Sequence, residues 1–473
     1  MINTKLIQTI IKLIQTNEKM IKTNEKMIKR FEKQNSIKIH EYQKSGINWC
    51  VDKEINGVEL EQEKEKDKIY GGLICDEMGL GKTFQILLTI LSTYLPNTLI
   101  VLPRILLEQW NDIIIKYLNH KPLIYHGKYK RKLGVNDIKK APIILTTYHM
   151  LLTQKNQKND LQEIEWGRII FDEAHHLRNK KNKLYTAALK LKSKIKWLIT
   201  GTPIQNKIQD IYSLFDILKI QKSYYKNEKM FSEIIEKLIL KRTKKFVGLK
   251  LPSLTEHTIY VDWKDEKEKR QAIECHNKLS FSGLEMKEQL TNIEILKYFI
   301  KCKQSCIDLS LICNNTNHTK LDRVIEKIKE RKTTKKLIFC HFKKEIKYLH
   351  AKLLSDKFKV EYFDGSVSMK TRKLILENDP DILILQIQTG CEGLNLQKFN
   401  DVYFVSLSWN PAIESQAIAR CHRIGQTNQI NVFRFKMSSF DDEYITKSLD
   451  IYIDICQIKK KTIMNILSND KTK

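Results

Sequence analysis

The chain has no apolar run of the roughly 18 residues that a membrane-spanning helix needs. Its N-terminus, MINTKLIQTIIKLIQTNEK, is broken too often by Lys, Gln and Asn to serve as a secretory signal. The 10 cysteines form no regular pairs. That argues against a disulfide framework and for reduced thiols in an intracellular compartment. The expected location is the nucleus or, for a viral source, a virion or cytoplasmic replication site. Arginine is scarce, at 13 of the 83 basic residues, so each Arg is more apt to sit where a flat, forked donor is required. Acidic residues are also short, 55 against 83 basic, for a formal net charge of +28. That imbalance points to a polyanionic partner, nucleic acid before a membrane. The abundance of Ile, Lys and Asn is also what an AT-rich gene would encode, which accounts for part of the charge without preventing it from acting.

What is present fills about three average domains at roughly 150 residues each, with 42% hydrophobic residues to build their cores. Residues 1–36 carry a heptad repeat: TNEKMIK stands at 16–22 and again at 23–29. Leu6, Leu13, Met20 and Met27 share one register, with Ile7, Ile14, Ile21 and Ile28 beside them. The spacing predicts a helix with one apolar face, either solvated and partly ordered or available for helix-mediated contact. From about residue 37, near-continuous apolar runs of strand length alternate with helical stretches: NTLIVLP (97–103), APIILTTYH (141–149), GRIIFDEAHH (167–176) and KWLITGTP (196–203). Such runs read as buried parallel strands. Residues 205–320 are Lys- and Glu-rich with helical periodicity, interrupted by LPSLTEHTIYVDW (251–263), and strands return after 335. The expected class is α/β. The expected domains are a first α/β lobe over 37–245, a helical insert over 246–320, a second lobe over 321–440 and a basic helical tail over 441–473.

Three motifs carry chemistry. GGLICDEMGLGKT (71–83) ends as a phosphate loop should, between an apolar strand and a helix start where backbone N–H groups face an anion. Lys82 can reach β and γ phosphates, Thr83 can ligate magnesium, and Gly79 and Gly81 permit the tight backbone. The loop breaks the G-x-x-x-x-G-K-[ST] pattern, with Asp76 where the first Gly belongs. About 90 residues later, RIIFDEAHH ends a strand in two carboxylates. Asp172 is suited to holding magnesium and Glu173 to orienting and deprotonating the attacking water. In QAIARCHRIGQ (416–426), Arg420 and Arg423 stand three apart, suited as forks for phosphate oxygens.

Taken in order, these motifs make the sequence resemble the Swi/Snf-type helicase-like ATPases of helicase superfamily two. IHEYQKSGINW (39–49) is similar to the adenine-reading Q motif, with Gln43 in the Gln position and His40 where Arg is usual. DEMGLGKT supplies Asp76, Glu77, Met78, Gly79, Leu80, Gly81, Lys82 and Thr83 as the expected ATP-binding loop. IVLPRILLEQW (100–110) and ILTTYHML (144–151) resemble nucleic-acid-contact motifs, the second including Thr147. LITGTPIQN (198–206) resembles the coupling motif, with Thr200, Gly201 and Thr202. YFDGSVSMKTR (362–372) and QTGCEGLNLQ (388–397) follow, the latter with Gly393 and Asn395 as expected DNA contacts. SWNPAIESQAIARCHRIGQ (408–426), which includes Gln416 as a further coupling residue, is the most family-specific run. Together they cover roughly residues 37–440. The region LRNKKNK…IYSLFDIL is most similar to the subgroup with DNA-repair and transcription-termination members.

The resemblance implies two tandem RecA-like lobes facing ATP and magnesium, with double-stranded DNA across both. It further implies that DNA-bound protein is the target, and that Arg420 and Arg423 act as arginine fingers. A strand-separating DNA or RNA helicase is the alternative. A basic scaffold with a vestigial ATP site would show a broken catalytic position, and Lys82, Asp172, Glu173, Arg420 and Arg423 are all present. Cys302, Cys306 and Cys313 with His318 lack two close ligand pairs and fall in an apolar helical pattern, so no structural zinc is expected. His175 and His176 are expected to link the ATP site to neighbouring motifs rather than to carry protons. The lysine runs KYKRK (128–132), RNKKNK (178–183), KRTKK (241–245) and KERKTTKK (329–336) read as solvated faces, some open to phosphate contact.

Overall fold

The computed structural model describes residues 22–60, 68–127, 133–153, 159–205, 207–277, 292–313, 317–387, 394–441 and 447–465. Two compact units divide the chain between Leu249 and Lys250.

The first unit is built on seven parallel strands in the order β3-β4-β2-β5-β6-β1-β7. They are β1 (Tyr70–Ile74), β2 (Thr98–Leu102), β3 (Leu123–Tyr125), β4 (Ile143–Thr147), β5 (Glu165–Asp172), β6 (Lys192–Ile199) and β7 (Ile239–Leu240). β2 and β4 are buried along their whole length, as strands covered on both faces must be. The short β3 was not legible as a separate strand. In register, Ile74 of β1 and Asp172 of β5 both stand level with Ile199 of β6. Because all three strands run the same way, their C-terminal ends deliver the chain to one edge of the sheet, where ligands of open α/β sheets bind.

Helices flank this sheet. The helix over 22–35 (α1) contains the second copy of the repeat. Its Ile28 and Phe31 are buried against Ile47 and Val51 of α2 (Glu41–Ile55) and Leu88 of α3 (Lys82–Ser92). Asn24 adds a 3.3 Å hydrogen bond to Asn48. This half of the repeat is therefore a docked helix; Leu6, Ile7, Leu13, Ile14, Met20 and Ile21 lie outside the described residues. The helix α4 (Leu107–Leu118) buries Trp110 and Ile114 against the sheet.

The second unit has six parallel strands in the order β10-β11-β9-β12-β13-β8. These are β8 (Leu254–Val261), β9 (Lys336–Cys340), β10 (Val360–Phe363), β11 (Ile382–Gln386), β12 (Asp401–Phe404) and β13 (Ile430–Met437). The stretch 246–320, read from sequence as a helical insert, contributes its strand to this sheet: β8 pairs with β13 over eight residues, Leu254↔Ile430 to Val261↔Met437. Cys302 and Cys306, on the helix α5 (Asn292–Ile307), are buried in the apolar core with Leu321, Val324 and Leu349. The tail forms α6 (Leu449–Asn465). Among the described residues no helix is long and apolar enough to cross a membrane.

Candidate active site

The phosphate loop follows β1 and ends where α3 begins. Gly79 and Gly81 take φ of +92° and +77°, left-handed backbone that side-chain-bearing residues avoid. A Cβ on Gly81 would also stand 2.4 Å from Gln43 Nε2. The Gln43 amide donates to the Leu80 carbonyl at 3.2 Å, while its Oε1 accepts from the His40 backbone N–H at 3.0 Å. The expected adenine-reading residue is thus buried against the loop itself. Lys82 donates from Nζ to the Asp76 carbonyl at 2.7 Å, and its burial presses the ammonium below the usual lysine range. Thr83 lies in the first turn of α3.

Asp76, the departure from the phosphate-loop pattern, is fully buried. Its carboxylate accepts from Arg242 Nε at 3.0 Å and forms an ion pair with Arg242 Nη2, and it also accepts from Gln85 Nε2 at 3.0 Å. Arg242 belongs to KRTKK, read from sequence as solvated. The structure corrects that for this residue, because the segment runs beside the phosphate loop and turns the guanidinium inward. Lys336, the last residue of KERKTTKK, is likewise buried within β9. RNKKNK is mostly exposed, and KYKRK lies outside the described residues.

At the end of β5, Asp172 Oδ2 accepts from the Trp110 indole at 2.7 Å and Oδ1 from the Glu173 backbone N–H at 3.0 Å. Burial, reinforced by the neighbouring Glu173 charge, raises the Asp172 carboxyl to about 6. Glu173 takes φ +50°, uncommon for a residue with a side chain and a form of strain that clusters at functional sites. Its Oε2 lies 3.2 Å from His175 Nδ1. That nitrogen is 3.3 Å from the Thr200 hydroxyl, which accepts from the Thr202 backbone N–H at 3.2 Å. A continuous polar path thus runs from the carboxylate pair into the GTP segment at the end of β6. Gly201 closes the ring: a Cβ there would stand 2.9 Å from Met78 Cγ and 3.5 Å from Lys82 Nζ. His176 stacks on His175 at 4.7 Å, and burial followed by the His175 charge holds it down at about 4. It is neutral at pH 7.

Other expected residues are placed differently. Thr147 ends β4 and is buried, its hydroxyl 3.2 Å from His126 Nδ1. The Glu77 carboxylate accepts from the Lys244 backbone N–H at 2.8 Å. In the second unit, Gln416 is buried on the helix Pro411–Ile418, and Arg420 and Arg423 lie just beyond its end. Burial, then the adjacent Arg420 charge, lowers the Arg423 guanidinium from its usual range. Among the described residues the Arg423 side chain has no hydrogen bond or ion pair. Asn395 is exposed after β11, and Gly393 lies outside the described residues. Sequence reasoning missed Trp110, Gln85 and Arg242. The scarcity of arginine was the one signal that pointed at the last of these.

Comparison with known proteins identifies both halves of the chain. A model of the SNF2-related domain matches residues 42–311, and a helicase conserved C-terminal domain matches residues 319–425. The chain is 28% identical over 433 residues to an uncharacterized ATP-dependent helicase of Mycoplasma genitalium, covering 84% of this chain and 40% of the relative. It is 25% identical over 465 residues to the ISWI chromatin-remodeling complex ATPase of Saccharomyces cerevisiae, covering 86% and 40%. With the ATP-dependent DNA helicase DDM1 of Arabidopsis thaliana it shares 26% identity over 480 residues, covering 87% and 60%. The chain therefore spans about 40% of the length of the first two relatives. A solved SWI2/SNF2 ATPase core from Sulfolobus solfataricus, in complex with double-stranded DNA, is 26% identical and aligns over 92% of this chain and 94% of its own with a TM-score of 0.41.

Proposed function

The chain belongs to the SNF2-related family, and from that premise we propose that it is an ATPase stimulated by double-stranded DNA, which it tracks along to remodel or displace bound protein. The observation that carries the reading is the meeting of phosphate loop and carboxylate pair on one sheet edge, fixed by Ile74, Ile199 and Asp172 standing level. Lys82 would hold the β and γ phosphates. Glu173, aimed by its left-handed backbone and by His175, is the proposed base for the attacking water. Two adjacent carboxylates at a buried strand end, with the Thr83 hydroxyl at a helix start, are hard oxygen donors of the kind magnesium takes. Asp172 and Thr83 would hold it, and when bound it would neutralise charge developing on the phosphates.

Arg420 and Arg423 keep their proposed role as forked donors to phosphate oxygens. A forked guanidinium matches the geometry of phosphate oxygens. Thr200, Gly201, Thr202 and Gln416 keep their proposed coupling role, and Thr147, Gly393 and Asn395 their proposed DNA role. The chain's +28 charge and the relatives' names support DNA as the partner and chromatin as the setting; repair or transcription complexes are a further proposed setting. ATP hydrolysis measured with and without blunt duplex DNA tests the proposal: stimulation is expected, and no response to any nucleic acid would refute it. The word helicase in relatives' names favours strand separation as a second reading; release of a labelled strand from forked duplexes would establish that instead.

A further inference from the structure

The segment leaving β7 does more than exit the first unit. Its parallel pairing with β1 continues past both strands, with the Cys75 N–H donating to the Leu240 carbonyl at 2.7 Å and the Glu77 N–H to the Arg242 carbonyl at 2.9 Å. The opening of the phosphate loop is thus zipped to residues 240–242. Arg242 then ties its own segment to three others. It pairs with Asp76 through Nε and Nη2, donates from Nη2 to Gln85 Oε1 at 2.8 Å, and donates from Nη1 to the Tyr42 carbonyl. The junction needs a glycine at position 46, where a Cβ would stand 2.0 Å from Gln85 Oε1 and 2.8 Å from Arg242 Nη2. Two residues on, Lys244 pairs with Glu77 through Nζ at 3.3 Å.

A buried ion pair is weak evidence for stability, because apolar replacements often fold as well or better. What this pair does specifically is fix Asp76, whose carbonyl holds the Lys82 ammonium. We infer that Arg242 is a positioning residue for ATP: acting through Asp76, it sets the backbone of the phosphate loop and so the place from which Lys82 meets the nucleotide. This rests on the ATPase reading above. It also explains why the loop carries Asp where the common pattern has Gly: the side chain is there to meet Arg242, not the phosphates.

The test is steady-state hydrolysis by the full chain with saturating duplex DNA, with thermal unfolding followed on the same samples. Loss of folded protein lowers kcat and leaves KM in place, whereas a misplaced loop raises KM. Arg242→Lys keeps the charge but loses the fork; it should raise the KM for ATP about tenfold and change kcat little. Asp76→Asn should move KM the same way, and the double variant should cost less than the two single effects combined. An unchanged KM in cooperatively melting Arg242→Lys would overturn the inference. If that variant does not melt cooperatively, Lys244→Ala decides: a KM rise of about two- to threefold upholds the inference and an unchanged KM overturns it. Should the wild type fail to hydrolyse ATP, the functional reading is what fails. The positioning role is then read from binding of a fluorescent ATP analogue, where about tenfold weakening in Arg242→Lys upholds it and equal affinity overturns it.

Discussion

The two α/β units share a plan, parallel strands between helices, but treat their charges differently. At the edge of the first sheet the charges are answered from within the unit: Asp76 by Arg242, Asp172 by the Trp110 indole and Glu77 by Lys244. In the second unit several buried charges are answered too, as in the pairs Arg331–Asp401, Lys320–Asp450 and Arg434–Glu414. Arg423, half-buried beside a second guanidinium, is not. On the proposed function, the first edge is a preorganised nucleotide site and Arg423 is a donor for phosphate oxygens. Preorganised donors of this kind stabilise developing charge without reorganisation at the moment of reaction.

The comparison breaks most visibly at Arg423. Arg423→Lys retains charge but not the fork, and should reduce DNA-stimulated turnover by about 10³-fold or more; near-normal rates would remove its proposed role at the phosphates. On the answered side, Glu173→Gln should cut turnover by about 10²- to 10⁴-fold while a fluorescent ATP analogue still binds, and full activity would refute the base assignment. Phe31→Ala asks whether the N-terminal helix belongs to the first unit's framework. Removing that buried ring should cost about 3 kcal/mol and speed amide exchange across residues 22–35; unchanged exchange would show that the helix holds by other contacts.

The smallest effect concerns Asp172. Its carboxyl, raised to about 6, must be ionised to hold a cation, so kcat/KM should fall as pH drops through that value. Trp110→Phe deletes a hydrogen bond that favours the ionised form, so the acid limb should move to higher pH. A limb that stays in place would separate Trp110 from Asp172 function.

The phosphate loop, the carboxylate pair and the arginine pair were legible because each is a short motif whose chemistry depends on local spacing. The buried strands were legible because covering both faces of a parallel sheet leaves near-continuous apolar runs. LPSLTEHTIYVDW was harder, since an edge strand with one exposed face alternates and carries no run; its membership of the second sheet rests on pairing with β13, some 176 residues away along the chain. Arg242 was hidden for the same reason. It sits 166 residues from Asp76, inside a lysine run that looks solvated until the backbone bonds of 240–242 lay it beside the phosphate loop.

By itself, then, the sequence determined the kind of chemistry, because phosphate loops and carboxylate pairs are local patterns set by backbone conformation and strand ends. Only the tertiary structure decided what Asp76 is for. A buried carboxylate must find a partner, and which partner it finds depends on which distant segment the sheet order brings alongside.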